Sequence, residues 1–229
     1  MTAPDVAAPP RTAGARYFAW LYTPAPAQAG TAALLTLEHE IMTSTGASLD
    51  HTVAHARLGW WQEETARLAA AVPAHPASRA AQQAFLAAGL PAPDLQPLAD
   101  LAARGLARHA LARDVAPGDL AGDAALWADG LVKPLAVLAC GAMRAIPPDE
   151  GVAAALGHAL YGQEQAPAAA SAATLRAAIA ALPAALAAPL RGLVVWSMLA
   201  LHAGPRGAFA ETWAAWRAAR RVERGRLRG

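Results

Sequence analysis

The sequence predicts an all-α protein, and three observations carry that prediction. Ala dominates the 55% of the 229 residues that are hydrophobic; Ala has the highest intrinsic helix propensity, and the β-branched residues that favour strands are scarce. Apolar residues recur at helical spacing, as at Leu34, Leu37 and Ile41, and no segment alternates with the period of a strand. Pro and Gly fall between the periodic segments, and the short connections they mark favour neighbouring antiparallel helices.

The length suits one sizeable core, so the chain reads as a single helical domain over residues 15–229, preceded by an Ala/Pro-rich lead-in at 1–14 that is expected to be disordered. The low charged fraction, 16%, fits a large buried interior. A net charge of +2 points to no nucleic-acid partner. The lead-in lacks the charged start and apolar stretch of a signal peptide. The strongest apolar runs, Leu135–Met143 and Gly192–Ala203, are shorter than a membrane span and read as core helices, which suits a cytoplasmic protein. A lone Cys140 in an apolar run reads as a buried, inert thiol.

The elements follow in order. Arg16–Tyr22 is a short aromatic segment closed by Thr23-Pro24. A helix spans Ala25 to about Thr45 and stops at Gly46. The next begins with Ser48 as its N-cap and runs to about Ala71, where Pro73 ends it. His75-Pro76 opens another, Pro being harmless in a first turn. Asp94–Arg113 is helical, with a turn at Pro117-Gly118. Asp119 to about Met143 is one helix that Pro134 should kink. Asp149–Glu164, Thr174–Ala181, Leu190–His202 and Ala208–Arg226 complete the set.

Generic catalytic signatures are missing: there is no phosphate-binding Gly loop, no GxSxG and no HExxH. His51 and His55 share a helix face but have no third ligand. Glu38 and Glu40 point 200° apart on a helix. Glu63, Glu64 and Arg67 read as a solvated face. Of Trp60 and Trp61, one should pack inside and one at the edge. Trp213–Arg228 is amphipathic and leaves two readings open: the Trp pair docks the last helix onto the bundle, or the Arg-rich helix makes a peripheral contact with an anionic membrane or a partner.

One stretch is more specific. Residues 34–80 contain Arg57-Leu58-Gly59-Trp60-Trp61-Gln62-Glu63-Glu64 followed by Pro73-Ala74-His75-Pro76, and this resembles the first half of the squalene/phytoene synthase family. Ala15-Arg16-Tyr17-Phe18 resembles the family's opening segment. Leu126–Cys140, Leu156–Gly162 and Trp213–Arg220 resemble later pieces, in the right order. The resemblance implies an isoprenoid-synthase-like helical bundle. It also implies two D-x-x-x-D motifs on facing helices that hold Mg²⁺ around an isoprenoid diphosphate, whose departing charge needs several cations.

The acids are eroded at both places. Near the first expected motif stands Glu38-His39-Glu40-Ile41-Met42; near the second, Gly162-Gln163-Glu164-Gln165-Ala166. The family contains non-catalytic branches, an assembly factor of mitochondrial complex I among them, in which the acids are similarly lost. The resemblance therefore implies a pseudoenzyme with no catalytic residue and no resident metal or cofactor. It assigns Glu38, Arg57, Tyr161, Gln163 and Glu164 to the remnant binding site, with an apolar isoprenoid-like ligand or a protein as partner. The alternative is an active prenyl transferase in which Glu38 and Glu164 are residual Mg²⁺ ligands. On either reading, the helix bearing Glu38 should face the helix bearing Tyr161 and Glu164.

Overall fold

Long Ala-rich helices can approach one another closely, because a methyl group is all that separates their backbones, and the computed structural model is built on such contacts. It describes residues 14–46, 48–110, 119–202 and 208–224; the predicted lead-in (Gly14 apart), the Pro117-Gly118 turn and the last five residues lie outside these. Among the described residues every regular element is helical. In order they are α1 (Ala15–Tyr22), α2 (Ala25–Thr43), α3 (His51–Ala69), α4 (Pro76–Ala87), α5 (Gln96–Ala110), α6 (Leu120–Trp127), a π-turn (Ala128–Val132), α7 (Lys133–Ala142), α8 (Glu150–Gln165), α9 (Ala169–Ala180), a short 3₁₀ turn (Ala184–Leu186), α10 (Arg191–Ala200) and α11 (Ala208–Glu223).

The segment α6–π-turn–α7 runs through the middle of the bundle. Its inner residues Trp127, Leu131, Val132, Leu138 and Cys140 are all buried. Pro134 does not produce a simple kink. A proline has no N–H to give the carbonyl four residues back, and its ring collides with that carbonyl. Here the preceding turn widens instead, and the Lys133 N–H reaches back five residues to Ala128. Carried through Pro134, Leu120–Ala142 is 23 residues, long and apolar enough to cross a membrane, which corrects the shorter runs read from sequence. Its burial inside the bundle, 67% of the apolar window, accounts for that apolarity.

Two glycines allow helices to approach closely. A methyl group at Gly157 would fall 2.5 Å from Ala128 Cβ, so α8 lies directly on the π-turn. At Gly192 it would strike the Ala19 carbonyl and the Thr23 hydroxyl, so α10 lies against the end of α1.

Several boundaries move from their sequence expectations. Asp50, not Ser48, caps α3, its carboxylate accepting from the Thr52 and Val53 N–H groups. α9 begins at Ala169, five residues before Thr174, because the Ser171 hydroxyl accepts from the Ala168 N–H and anchors an earlier start. The largest correction concerns Glu64. It is not part of a solvated face: its side chain is 1% exposed, it pairs with Arg67 at 2.9 Å, and it accepts the backbone N–H groups of Ala74 and His75. Glu64 thus ties α3 to the Pro73–Pro76 step. The His75 ring packs on Trp61 at 5.1 Å, its Nδ1 accepts from the Ala77 N–H, and its Nε2 lies 3.2 Å from Glu40. As expected, Trp61 is buried and Trp60 stays at the edge.

Burial works against ionisation of Glu64, but the N–H of His75, Arg67, Ser78 and the N–H of Ala74 together hold its carboxyl below the ordinary value of 4.5. A lowered folded-state value gives stability that is present above the unfolded value and lost as pH falls through the folded one. Glu64→Ala is expected to destabilise the protein by about 3 kcal/mol near neutrality, the scale of losing charged acceptor bonds. In urea denaturation the deficit should shrink as the pH is taken below the carboxylate range.

Candidate functional site

Glu38 lies on the inner face of α2, one turn from Leu34 and Ile41, and is only 6% exposed. An ionised carboxylate at such a place needs compensation. Glu164, in the last turn of α8, is half-buried and faces the same point from the other side. Between them stands Arg16 of α1. One of its terminal nitrogens lies 3.0 Å from Glu38 and 3.4 Å from Glu164, so a single guanidinium bridges both acids. The two helices expected to face one another do bring these acids together.

Two indoles complete the arrangement. Trp127 Nε1 donates to Glu38 at 3.3 Å, and Trp196 Nε1 donates to Glu164 at 2.6 Å. The Trp127 and Trp196 rings meet edge to face at 5.6 Å, and the Arg16 guanidinium lies over the Trp196 ring at 4.9 Å. Both indoles are fully buried. Their bulk fills the interior beside the acids, and their N–H groups use acceptor capacity that a ligand would otherwise find.

The charges respond to these surroundings. Burial disfavours the Arg16 cation, but the carboxylates of Glu38 and Glu164 outweigh it and raise its affinity for the proton above the ordinary guanidinium value. Burial pushes Glu164 above the usual carboxylate value; Arg16 and the Trp196 N–H counter this in part, and the nearby Glu38 adds to it.

The other residues assigned from sequence divide. Tyr161 is buried with its ring 5.6 Å from Trp127, on the flank of the cluster. Gln163 is buried but turned away: it donates to the Ala200 carbonyl and accepts from the Ser171 hydroxyl, so it joins α8 to α9 and α10. Arg57 is exposed on α3. Sequence reasoning did not single out Trp127, Trp196 or Asp123, and noticed Arg16 only as part of an opening segment. Asp123 is a further buried acid, paired with Arg108 at 2.5 Å and with Arg104 at 3.7 Å. Burial, and then the charge of Asp123, raise the Tyr161 phenol. Their signal in the sequence was the rarity of charge and Trp within apolar helices, which marks a residue but not its partner.

The donor set does not fit a Mg²⁺ cluster. Glu38 and Glu164 supply one carboxylate each, the Arg16 cation occupies the gap where an ion would have to sit, and among the described residues no three His, Cys, Asp or Glu side chains group as metal ligands. His51 and His55 meet edge to face, ring centroids 4.4 Å apart, on an exposed face. A cleft between α1, α2, α7 and α10, lined by Ala19, Thr31, Leu135 and Leu193 among others, has room for little more than one water and does not reach the acids.

Residues 10–122 match the family model described as squalene/phytoene synthase. The match takes in Arg16, Glu38 and the Trp60–Pro76 region and ends before Trp127, Tyr161, Glu164 and Trp196. No curated protein and no solved structure matches the chain.

Arg16→Met keeps the volume of the side chain and removes its charge, leaving two carboxylates without their bridge. Removing one partner of a fully buried pair costs about 3–5 kcal/mol; because Arg16 is partly exposed, a loss of about 2 kcal/mol is expected by urea denaturation. A second measurement concerns Glu164. Its raised folded-state value means that its contribution to stability is fully present below the unfolded value, 4.5, and is lost as pH rises through the folded one. Glu164→Gln keeps an oxygen for Trp196 and cannot ionise. Relative to the native chain it should gain stability as the pH rises above the unfolded value of 4.5.

Proposed function

From the premise that over residues 10–122 this chain belongs to the squalene/phytoene synthase family, we propose that it is a non-catalytic member whose role is binding or assembly. The observation that carries this reading is the Arg16 bridge. Family chemistry ionises an allylic diphosphate, and the departing anion must be met by several cations held in position. Here the positive charge between the two acids belongs to the protein itself, and it is tied to both of them and stacked on Trp196. A guanidinium so held cannot coordinate a phosphate oxygen as a metal ion does, and it excludes a metal from the same place. Trp127 and Trp196 fill the interior beside the acids.

A rival reading, an active prenyl transferase, draws support from one observation: an acid from α2 and an acid from α8 do converge. Activity would then require Arg16 to swing out and two carboxylates to hold a metal cluster unaided. The bridged arrangement favours the non-catalytic reading, and with the interior beside the acids filled by indoles, another protein is favoured over an apolar isoprenoid-like molecule as the partner bound.

The test is incubation of the purified protein with farnesyl or geranylgeranyl diphosphate and Mg²⁺ or Mn²⁺, following diphosphate release. No release above the protein-free control is expected. Steady release that Glu38→Ala or Glu164→Ala abolishes would overturn the proposal and establish the rival.

A further inference from the structure

Helix α11 carries two faces of opposite character. Ala215, Ala218, Ala219 and Val222 are buried and pack the helix onto the bundle. The large aromatics point the other way: Phe209 is 85% exposed, Trp213 52% and Trp216 45%. The docked face is thus made of small residues, and the expectation that the Trp pair docks the helix is corrected. At the helical rotation per residue, Phe209, Trp213, Trp216 and Arg220 fall within an arc of about 60°, with Arg224 and Arg217 beside them. The two indoles are stacked, ring centroids 4.9 Å apart, with the Arg220 guanidinium 6.0 Å from the Trp216 ring.

The charge on this face has one sign. Its acid, Glu223, is held by Arg191 and Arg220, each at 3.0 Å. Arg217, Arg221 and Arg224 are exposed and, among the described residues, make no ion pair. The sequence beyond adds Arg226 and Arg228 and no acid.

We infer that α11 is an interfacial helix that docks this protein onto an anionic phospholipid surface. The stripe has the two components such a surface requires. Phe209, Trp213 and Trp216 are apolar bodies to sit at headgroup depth, and the indole N–H groups stay wet there. Arg217, Arg221 and Arg224 flank them and meet lipid phosphates as planar forks. The helix is about 24 Å long, lies along the surface of the protein, and can rest in the interface plane without leaving the bundle. The inference stands apart from the question of catalysis, since no residue of the Arg16 cluster takes part.

The experiment is co-flotation of the full chain with vesicles of phosphatidylcholine alone or mixed with phosphatidylglycerol. Binding is expected to the mixed vesicles only and to fade at high salt. Neutralising Arg217, Arg221 and Arg224 to Gln should weaken it about a hundredfold, from roughly fivefold per basic residue. Trp213→Ala with Trp216→Ala should weaken it at least tenfold while circular dichroism shows the helices intact. No binding to the anionic vesicles, or binding that both variants retain, would overturn the inference. So would binding that RNA competes away and the Trp variant keeps, which would identify a general polyanion surface.

Discussion

A single guanidinium held between two carboxylates, one buried and one half-buried, sets the geometry at the centre of this protein. Arg16 comes from α1, Glu38 from α2 and Glu164 from α8, and the indole that steadies Glu164 comes from α10. Four helices are therefore referred to one point. Such a cluster adds little net stability over an apolar filling of equal volume, because three charges must leave water. Its effect is selective. Slide α1 by one turn, or rotate α8 by one residue, and an acid is left buried without its cation. The close approach of Gly192 to the end of α1 fits this requirement, since a larger residue would push Arg16 out of reach.

The segment that most resembles the family has a structural role. Glu64 accepts the N–H groups at the start of the Pro73–Pro76 step, His75 lies against Trp61, and Trp61 fills the space between α3 and its neighbours. A corner built this way needs an acid, an aromatic and a histidine at fixed separations. Their spacing can persist when the acids of a catalytic centre do not, because the corner holds two helices at an angle whatever the bundle encloses.

Much of the fold was legible because helix signals are local. Asp149, Pro76 and the period of α2 each act within one or two turns, and so they could be read from neighbouring residues. Ser48 and Asp50 are both competent caps two residues apart, and only the path of the chain chose Asp50. The start of α9 turned on a hydroxyl three residues inside the helix. At the site, Glu38 and Glu164 stood out as acids in apolar surroundings, but Arg16 is 22 residues from one and far more distant from the other, and nothing in the spacing joins them. Gln163 looked equivalent to Glu164, yet a rotation of about 100° sends it to a different neighbour. The Trp pair of α11 was visible as amphipathic, whereas which face would dock depended on how closely α10 approached.

The π-turn at Ala128–Val132 has a bearing on how such a chain can change over generations. A turn of this kind holds one residue more than the surrounding helix needs, so it acts as a phase shifter: the segments on either side are each regular but out of step with one another. Trp127 lies just before it and Leu138 after it, and both are buried. A one-residue deletion elsewhere in the long central helix would turn half its side chains to the wrong side. Within the wide turn the same deletion would be absorbed as ordinary helix. Changes of length in the central helix should therefore be tolerated best within these five residues.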